Sequence, residues 1–68
     1  MQLSARNQLP GRISAIRTGA VMAEVDIALP GGLSIVAAIT RASVERLALQ
    51  VGDEVSAIIK STEVMVAK

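Results

Sequence analysis

The 68-residue chain contains no cysteine, no histidine and no aromatic residue. Without cysteine there is no disulfide framework, and without cysteine or histidine the usual ligands of structural zinc and iron–sulfur clusters are missing. The lack of Phe, Tyr and Trp removes the stacking platforms, worth roughly 1–3 kcal/mol per base, on which single-stranded nucleic acids are held. No apolar run approaches the about 18 residues that a membrane span requires. Charge of one sign is scarce as well. Seven basic and six acidic residues leave a net charge of +1, and their scatter along the chain makes no basic stripe for a polyanion. The first residues lack a charged region followed by an apolar core and a small-residue cleavage site, so no secretory leader is expected and the cytoplasm is the expected location.

What the chain has in quantity is small and branched apolar side chains. Hydrophobic residues make up 51% of it, and the mean hydropathy is +0.53. A domain this short buries only roughly 60% of the surface its unfolded chain exposes. With neither disulfide nor metal to help, subunit association is the expected source of stability, and the apolar surplus the expected interface.

The pattern is that of strands. After Pro10-Gly11, read as a turn, Arg12 to Thr18 alternates imperfectly, with Ile13, Ala15 and Arg17 against Ser14, Ile16 and Thr18. Val21 to Leu29 alternates cleanly, with Val21, Ala23, Val25, Ile27 and Leu29 on one face. Pro30-Gly31-Gly32 supplies a turn, and Leu33, Ile35, Ala37 and Ile39 resume the pattern, so the two runs read as a hairpin. The opposite face, Ser34, Val36 and Ala38, is too apolar for open solvent and reads as a surface covered by another subunit. Thr40 reads as an N-cap, and Val44 and Leu47, three apart in the segment Arg41 to Leu47, suggest a short helix. Gly52-Asp53 marks a turn; Glu54 to Lys60 reads as a strand with Val55, Ala57 and Ile59 inward, and Val64 to Ala67 as a final short strand. Three strands, a helix and two strands is the order of an all-β, OB-like five-stranded Greek-key barrel.

Catalytic parts are few. A nucleophile would have to be Ser, Thr or Lys, and Glu24, Asp26, Glu45, Asp53, Glu54 and Glu63 form no short-range acid/base pair, so the chain does not read as an enzyme. Donors for a small anion are better represented. Ser4 and Arg6 share a face of an extended arm, with the amides of Asn7 and Gln8 beside them. Lys60-Ser61 ends a strand, and Thr40-Arg41-Ala42-Ser43 opens the helix. Each has a plainer account: a polar arm, an exposed strand end, a simple helix cap. Arg6 and Lys60, more than fifty positions apart, meet only through the fold or a subunit contact.

Ser4-Ala5-Arg6-Asn7-Gln8-Leu9-Pro10-Gly11, Ile39-Thr40-Arg41-Ala42-Ser43-Val44-Glu45-Arg46-Leu47, Val51-Gly52-Asp53-Glu54-Val55 and the closing Lys60-Ser61-Thr62-Glu63-Val64-Met65-Val66-Ala67-Lys68 resemble the molbindins, the single-domain Mop proteins that bind molybdate and tungstate. The resemblance covers residues 1–68 as one Mop domain. It implies an OB-like barrel assembled as a hexamer, a trimer of dimers, with the oxyanions held between subunits as ligands and no further cofactor. It implies a main site of Ser4, Arg6, Lys60 and Ser61, with Thr40 and Ser43 lending donors, and a second site of main-chain amides for which Gly19, Ala20 and Val21 are candidates. Molybdate at neutral pH is a proton-free dianion that calls for donors only, and Arg6 with Lys60 balances its two charges. Protonated phosphate would need an acceptor, and sulfate is smaller. The implied role is storage or buffering of the oxyanion, and an OB-type nucleic-acid-binding module is the alternative.

Overall fold

The computed structural model describes residues 4–68. Four strands, β1 (Asn7–Thr18), β2 (Met22–Ala28), β3 (Ser34–Thr40) and β4 (Glu54–Ile59), form one antiparallel sheet in the order β3-β2-β1-β4. One short helix, α1 (Arg41–Arg46), packs against β2 and β3. A single 3₁₀ turn, Ser61–Glu63, follows β4. The sheet curls around a core of Ile13, Ala23, Val25, Ile27, Val44 and Ala57, against which Ile16, Leu29, Ile35, Ala37, Ile39, Leu49 and Val55 pack.

The expected Pro10-Gly11 turn is overturned: both residues lie inside the 12-residue β1. Pairing of β1 with β2 begins only at Arg12, so residues 7 to 11 are flanked by β4 alone. Counting back along the ladder from the Ile13 N–H bond to the Asp53 carbonyl, Pro10 falls where an N–H would point away from β4. Proline is tolerated there because no ladder bond is lost. Gly11 is needed for close approach, since a Cβ on it would lie 2.6 Å from Ile27 Cγ2 and 2.7 Å from the Ala28 carbonyl oxygen.

The imperfect alternation after Arg12 has a structural cause. Ile13 pairs with Ile27 and Ala15 with Asp26, leaving Ser14 as the extra residue of a β-bulge. The bulge shifts the alternation by one, so Ile13 and Ile16 both reach the core and β1 bends from its β4 partner to its β2 partner.

β2 buries Ala23, Val25 and Ile27 as its sequence predicts, while Val21 falls outside the strand and is exposed. The hairpin turn is also as expected: Gly31 and Gly32 take φ of 85° and 79°, closed by the Leu29 N–H bond to the Leu33 carbonyl at 2.8 Å. On β3, Ile35, Ala37 and Ile39 face the core, whereas Leu33 precedes the strand and is exposed.

Helix α1 starts as predicted, with Thr40 Oγ1 accepting the Ser43 N–H at 3.0 Å, but it ends one residue early. Leu47 is the C-cap and is exposed. Ala48 takes a left-handed φ of 52°, which turns the chain so that Leu49, not Leu47, packs on the core. On β4, Ala57 joins the core and Val55 packs against it, whereas Ile59, at the strand's last position, is half-buried and lies outside the core cluster; the strand stops before Lys60.

The final strand is the other correction. Val64–Ala67 forms no strand, and Met65 and Val66 are each 93% exposed. Among the described residues the sheet is thus a four-stranded half-barrel with β3 and β4 as free edges. A four-residue apolar run that follows a 3₁₀ turn and finds no adjacent strand has no ladder to join.

Candidate functional site

The N-terminal arm enters β1 beside the end of β4, because Asn7 stands opposite Ile59 in the register. Ala5 is buried and anchors the arm, leaving Ser4 and Arg6 on its exposed side. The last residue of β4 is followed at once by the 3₁₀ turn, which Lys60 caps through the Glu63 N–H bond to its carbonyl at 2.9 Å. Ser4, Ala5, Lys60, Ser61 and Thr62 together line a shallow depression of about 320 Å³. Segments more than fifty residues apart in the chain are thereby brought together, as the donor set Ser4, Lys60 and Ser61 requires. Arg6 does not line the depression but lies two residues along the arm from Ser4. Thr62 adds a hydroxyl that the expected set omitted, although the run Ser61-Thr62 announces it.

The remaining charges sharpen the picture. Arg12 donates to Glu54 at 2.8 Å and to the Gly52 carbonyl at 3.1 Å. Arg17 grips Asp26 with two bonds of 3.0 and 2.6 Å and reaches Glu24 at 3.5 Å. The hydrogen bonds to the Arg17 guanidinium hold the Asp26 carboxyl below its usual range and raise the Arg17 pKa further. Arg41 pairs with Glu45 at 3.0 Å, one helical turn on. Among the described residues, then, Arg12, Arg17 and Arg41 are paired with carboxylates, while Arg6, Arg46, Lys60 and Lys68 enter no ion pair, and of these four Lys60 lines the depression and Arg6 lies on the arm beside it. The uncompensated cations beside the depression are available to an anion. A more voluminous depression of about 690 Å³ lies between β1, the end of β2 and β4, but its one cation, Arg12, is the one bound to Glu54.

Thr40 and Ser43 lie elsewhere. Thr40 stands opposite Met22, beyond the far end of β1, so the 12 residues of β1 separate the two from Ser4 and Lys60. Their hydroxyls share a hydrogen bond of 2.7 Å, and with the Ser43 amide they make the simple cap that was the plainer account. Thr40 shares a depression with Ala20, Val21, Arg41, Ala42 and Glu45. Within one chain, Thr40 thus lies with Ala20 and Val21 and apart from Ser4 and Lys60. Of the second-site candidates, Gly19 has its amide committed to the Met22 carbonyl at 2.7 Å. Among the described residues no group of three or more His, Cys, Asp or Glu is placed to hold a metal ion.

Known proteins resemble this chain over nearly its whole length. The family model described as the TOBE domain matches residues 3–66. A molybdenum-pterin-binding protein of Clostridium pasteurianum is 44% identical over 66 residues, 97% of each chain. A probable molybdenum-pterin-binding protein of Haemophilus influenzae is 47% identical over 66 residues, 97% of this chain and 96% of that one. Among solved structures, a molybdate-binding protein from Sporomusa ovata superposes with a TM-score of 0.95 at 43% identity, covering 100% of both chains. This chain belongs to the TOBE-domain family, alongside the molybdenum-pterin-binding proteins that share its length.

Proposed function

We propose that this protein binds molybdate, and tungstate in its place, as the intact oxyanion at sites between the subunits of a homo-oligomer, and that it stores or buffers the anion in the cytoplasm without catalysing a reaction. The observation that carries the reading is the convergence of Ser4, Lys60 and Ser61 on one depression flanked by two cations that enter no ion pair, Arg6 and Lys60. The set offers donors and no carboxylate among its lining residues, which suits a proton-free dianion. Relatives named for binding molybdate or a molybdenum-pterin support the choice of anion. The absence of any aromatic residue leaves nothing to stack on a pterin ring, which favours the bare oxyanion over a pterin complex.

The same geometry supports assembly. Ser4 and Lys60 stand at one end of β1 and Thr40 and Ser43 at the other, so one small anion touches both sets only if they come from different chains. The free edges of β3 and β4, and the exposed Val64, Met65 and Val66, give an oligomer apolar surface to cover and a place for the fifth strand of a closed barrel. A hexamer, a trimer of dimers, accords with the resemblance. No helix among the described residues is long and apolar enough to cross a membrane. The nucleic-acid alternative is unsupported, because three of the five arginines are tied to carboxylates and no aromatic platform exists.

The test is equilibrium dialysis against molybdate in excess sulfate, with bound molybdenum counted per chain. Saturable uptake that tungstate displaces and that Arg6→Ala weakens at least tenfold is expected. Equal uptake by Arg6→Ala removes Arg6 from the site, and no uptake by the unmodified protein ends the proposal.

A further inference from the structure

We propose that Asn7 is a positioning residue for the oxyanion site: its side-chain amide fixes the separation of the two segments that line the depression, and so sets the size of anion accepted. This rests on the assignment of Ser4, Lys60 and Ser61 to that site.

The argument begins with where two side-chain amides go. Asn7 Nδ2 donates to the Ile59 carbonyl at 3.2 Å, a bond across the β1–β4 boundary between residues 52 positions apart. Gln8 Nε2 donates to the Ala5 carbonyl at 3.3 Å, folding the arm back on its own root. Ile59 immediately precedes Lys60, and Ala5 immediately follows Ser4. Each of the two amides therefore holds the peptide next to a residue that lines the depression, one on each wall. Asn7 is half-buried, and both its bond and that of Gln8 are partly shielded from water, where a hydrogen bond holds geometry more firmly than at an open surface.

Of the two, Asn7 is the one that spans the walls. The Gln8 bond is local, three residues along one segment, and orients Ser4 relative to its own strand. The Asn7 bond joins the arm to the end of β4 at the last rung of the ladder, beyond which β1 and β4 have no further pairing. Among the described residues no hydrogen bond joins the arm before Asn7 to the chain after Ile59, so the Asn7 bond is the side-chain bond across the two segments that stands nearest the two walls. An anion held by donors from both walls is selected by the distance between them, since molybdate and sulfate carry the same charge and differ in size. Asn7 itself does not line the depression, so its influence passes through Ile59 and Lys60 and not through contact with the anion.

The experiment measures molybdate and sulfate dissociation constants by isothermal titration calorimetry for the unmodified protein, Asn7→Ala, Asn7→Thr and Lys60→Ala, with the apo thermal midpoint of each by circular dichroism. Asn7→Ala is expected to weaken molybdate at least tenfold and sulfate much less, so that the molybdate-to-sulfate affinity ratio falls. Asn7→Thr, whose β-branched side chain suits a strand but does not reach Ile59, is expected to fold and to lose selectivity in the same way, which keeps the test decisive where the alanine variant fails to fold. A ratio unchanged in a folded Asn7 variant overturns the proposal. Equal weakening of both anions overturns it too, by making Asn7 a direct ligand or a purely structural residue. Lys60→Ala separates the underlying reading: if it binds molybdate normally the site is misassigned, whereas if it loses binding while the Asn7 variants keep theirs, the site stands and only the positioning role falls.

Discussion

Replacing Gly11 by alanine tests the path of β1 through the fold. Gly11 is not among the glycines with positive φ, so its backbone accepts an L side chain, and the entire penalty is steric. An added Cβ would sit 2.6 Å from Ile27 Cγ2, 2.7 Å from the Ala28 carbonyl oxygen and 3.0 Å from Leu29 Cδ2. The Ile27 and Leu29 methyl groups are ends of side chains, but the Ala28 oxygen is backbone at the end of β2, so the end of β2 and β1 must part by several tenths of an ångström. Overpacking of this kind costs roughly 1–3 kcal/mol, and the lower entropy of an unfolded chain carrying alanine returns about 0.4–1 kcal/mol. A net loss of about 1–2 kcal/mol lowers the midpoint of a domain this size by roughly 5–15 °C. Thermal unfolding by far-ultraviolet circular dichroism at fixed protein concentration reads it, because the chain has no aromatic chromophore. Pro10→Ala is the companion: it restores an N–H on the unpaired side of β1 and should change stability by less than about 0.5 kcal/mol. A Gly11→Ala protein that melts at or above the unmodified midpoint would refute the packing of β1 against the end of β2.

Three further outcomes are expected. Ala48 holds a left-handed φ of 52° just past the end of α1, so Ala48→Gly should raise stability by about 0.5–1 kcal/mol; a lower midpoint in chemical denaturation would contradict the strain. The Asp26 carboxyl is held below its usual range by the hydrogen bonds from Arg17, so the folded state takes up that proton less readily than the unfolded chain. The stabilisation is therefore full above the unfolded value of about 4 and is lost as pH falls toward the folded one; Asp26→Asn should flatten part of the acid limb of midpoint against pH, and an unaltered acid limb would dismiss the pair. Saturating molybdate should raise the midpoint, by the equivalent of about 2.7 kcal/mol at one hundred times the dissociation constant, and coincident midpoints with and without it would uncouple binding from folding and assembly.

The hairpin of β2 and β3 was legible because both halves of its signal agree: a clean alternation on either side of Pro30-Gly31-Gly32, whose glycines do take positive φ. Thr40 was legible as a cap for the same reason, a hydroxyl placed where a strand pattern gives way to a helical one. Pro10-Gly11 misled because the same dipeptide serves two physical needs. As a turn signal it supplies bendable backbone; in β1 the proline occupies an unpaired edge and the glycine lets β2 approach, and only tertiary structure distinguishes these. The bulge at Ser14 was visible only as a fault in the alternation, without its cause. The spacing of Val44 and Leu47 announced the helix but not its end, because a single left-handed residue, Ala48, redirects the chain, and alanine gives no warning of that conformation. Of the candidate site, residue types were legible and partnership was not. Arg12, Arg17 and Arg41 read in sequence like Arg6, and only the fold shows that each has its carboxylate.

The partition of these cations gives a physical reason for the proposed coupling of anion binding to assembly. Its core is slight: among the described residues, three of the seven buried hydrophobic ones are alanine, and Val21, Val36, Val64, Met65 and Val66 are left in solvent. Covering them by association is favourable at roughly 25 cal/mol per Å² of apolar area, which draws subunits together wherever the fold leaves such surface. In the proposed assembly that contact also closes over the end of the fold where Arg6 and Lys60 stand without a carboxylate. Like charges gathered at an interface oppose the association that apolar burial promotes, and in the low dielectric of a closed contact their repulsion grows. A dianion held between them reverses the sign of that contribution, whereas a built-in carboxylate would neutralise the site permanently and leave nothing to bind. On the proposed reading, Arg6 and Lys60 would thus weaken the empty oligomer and favour a small, fully deprotonated anion in the filled one.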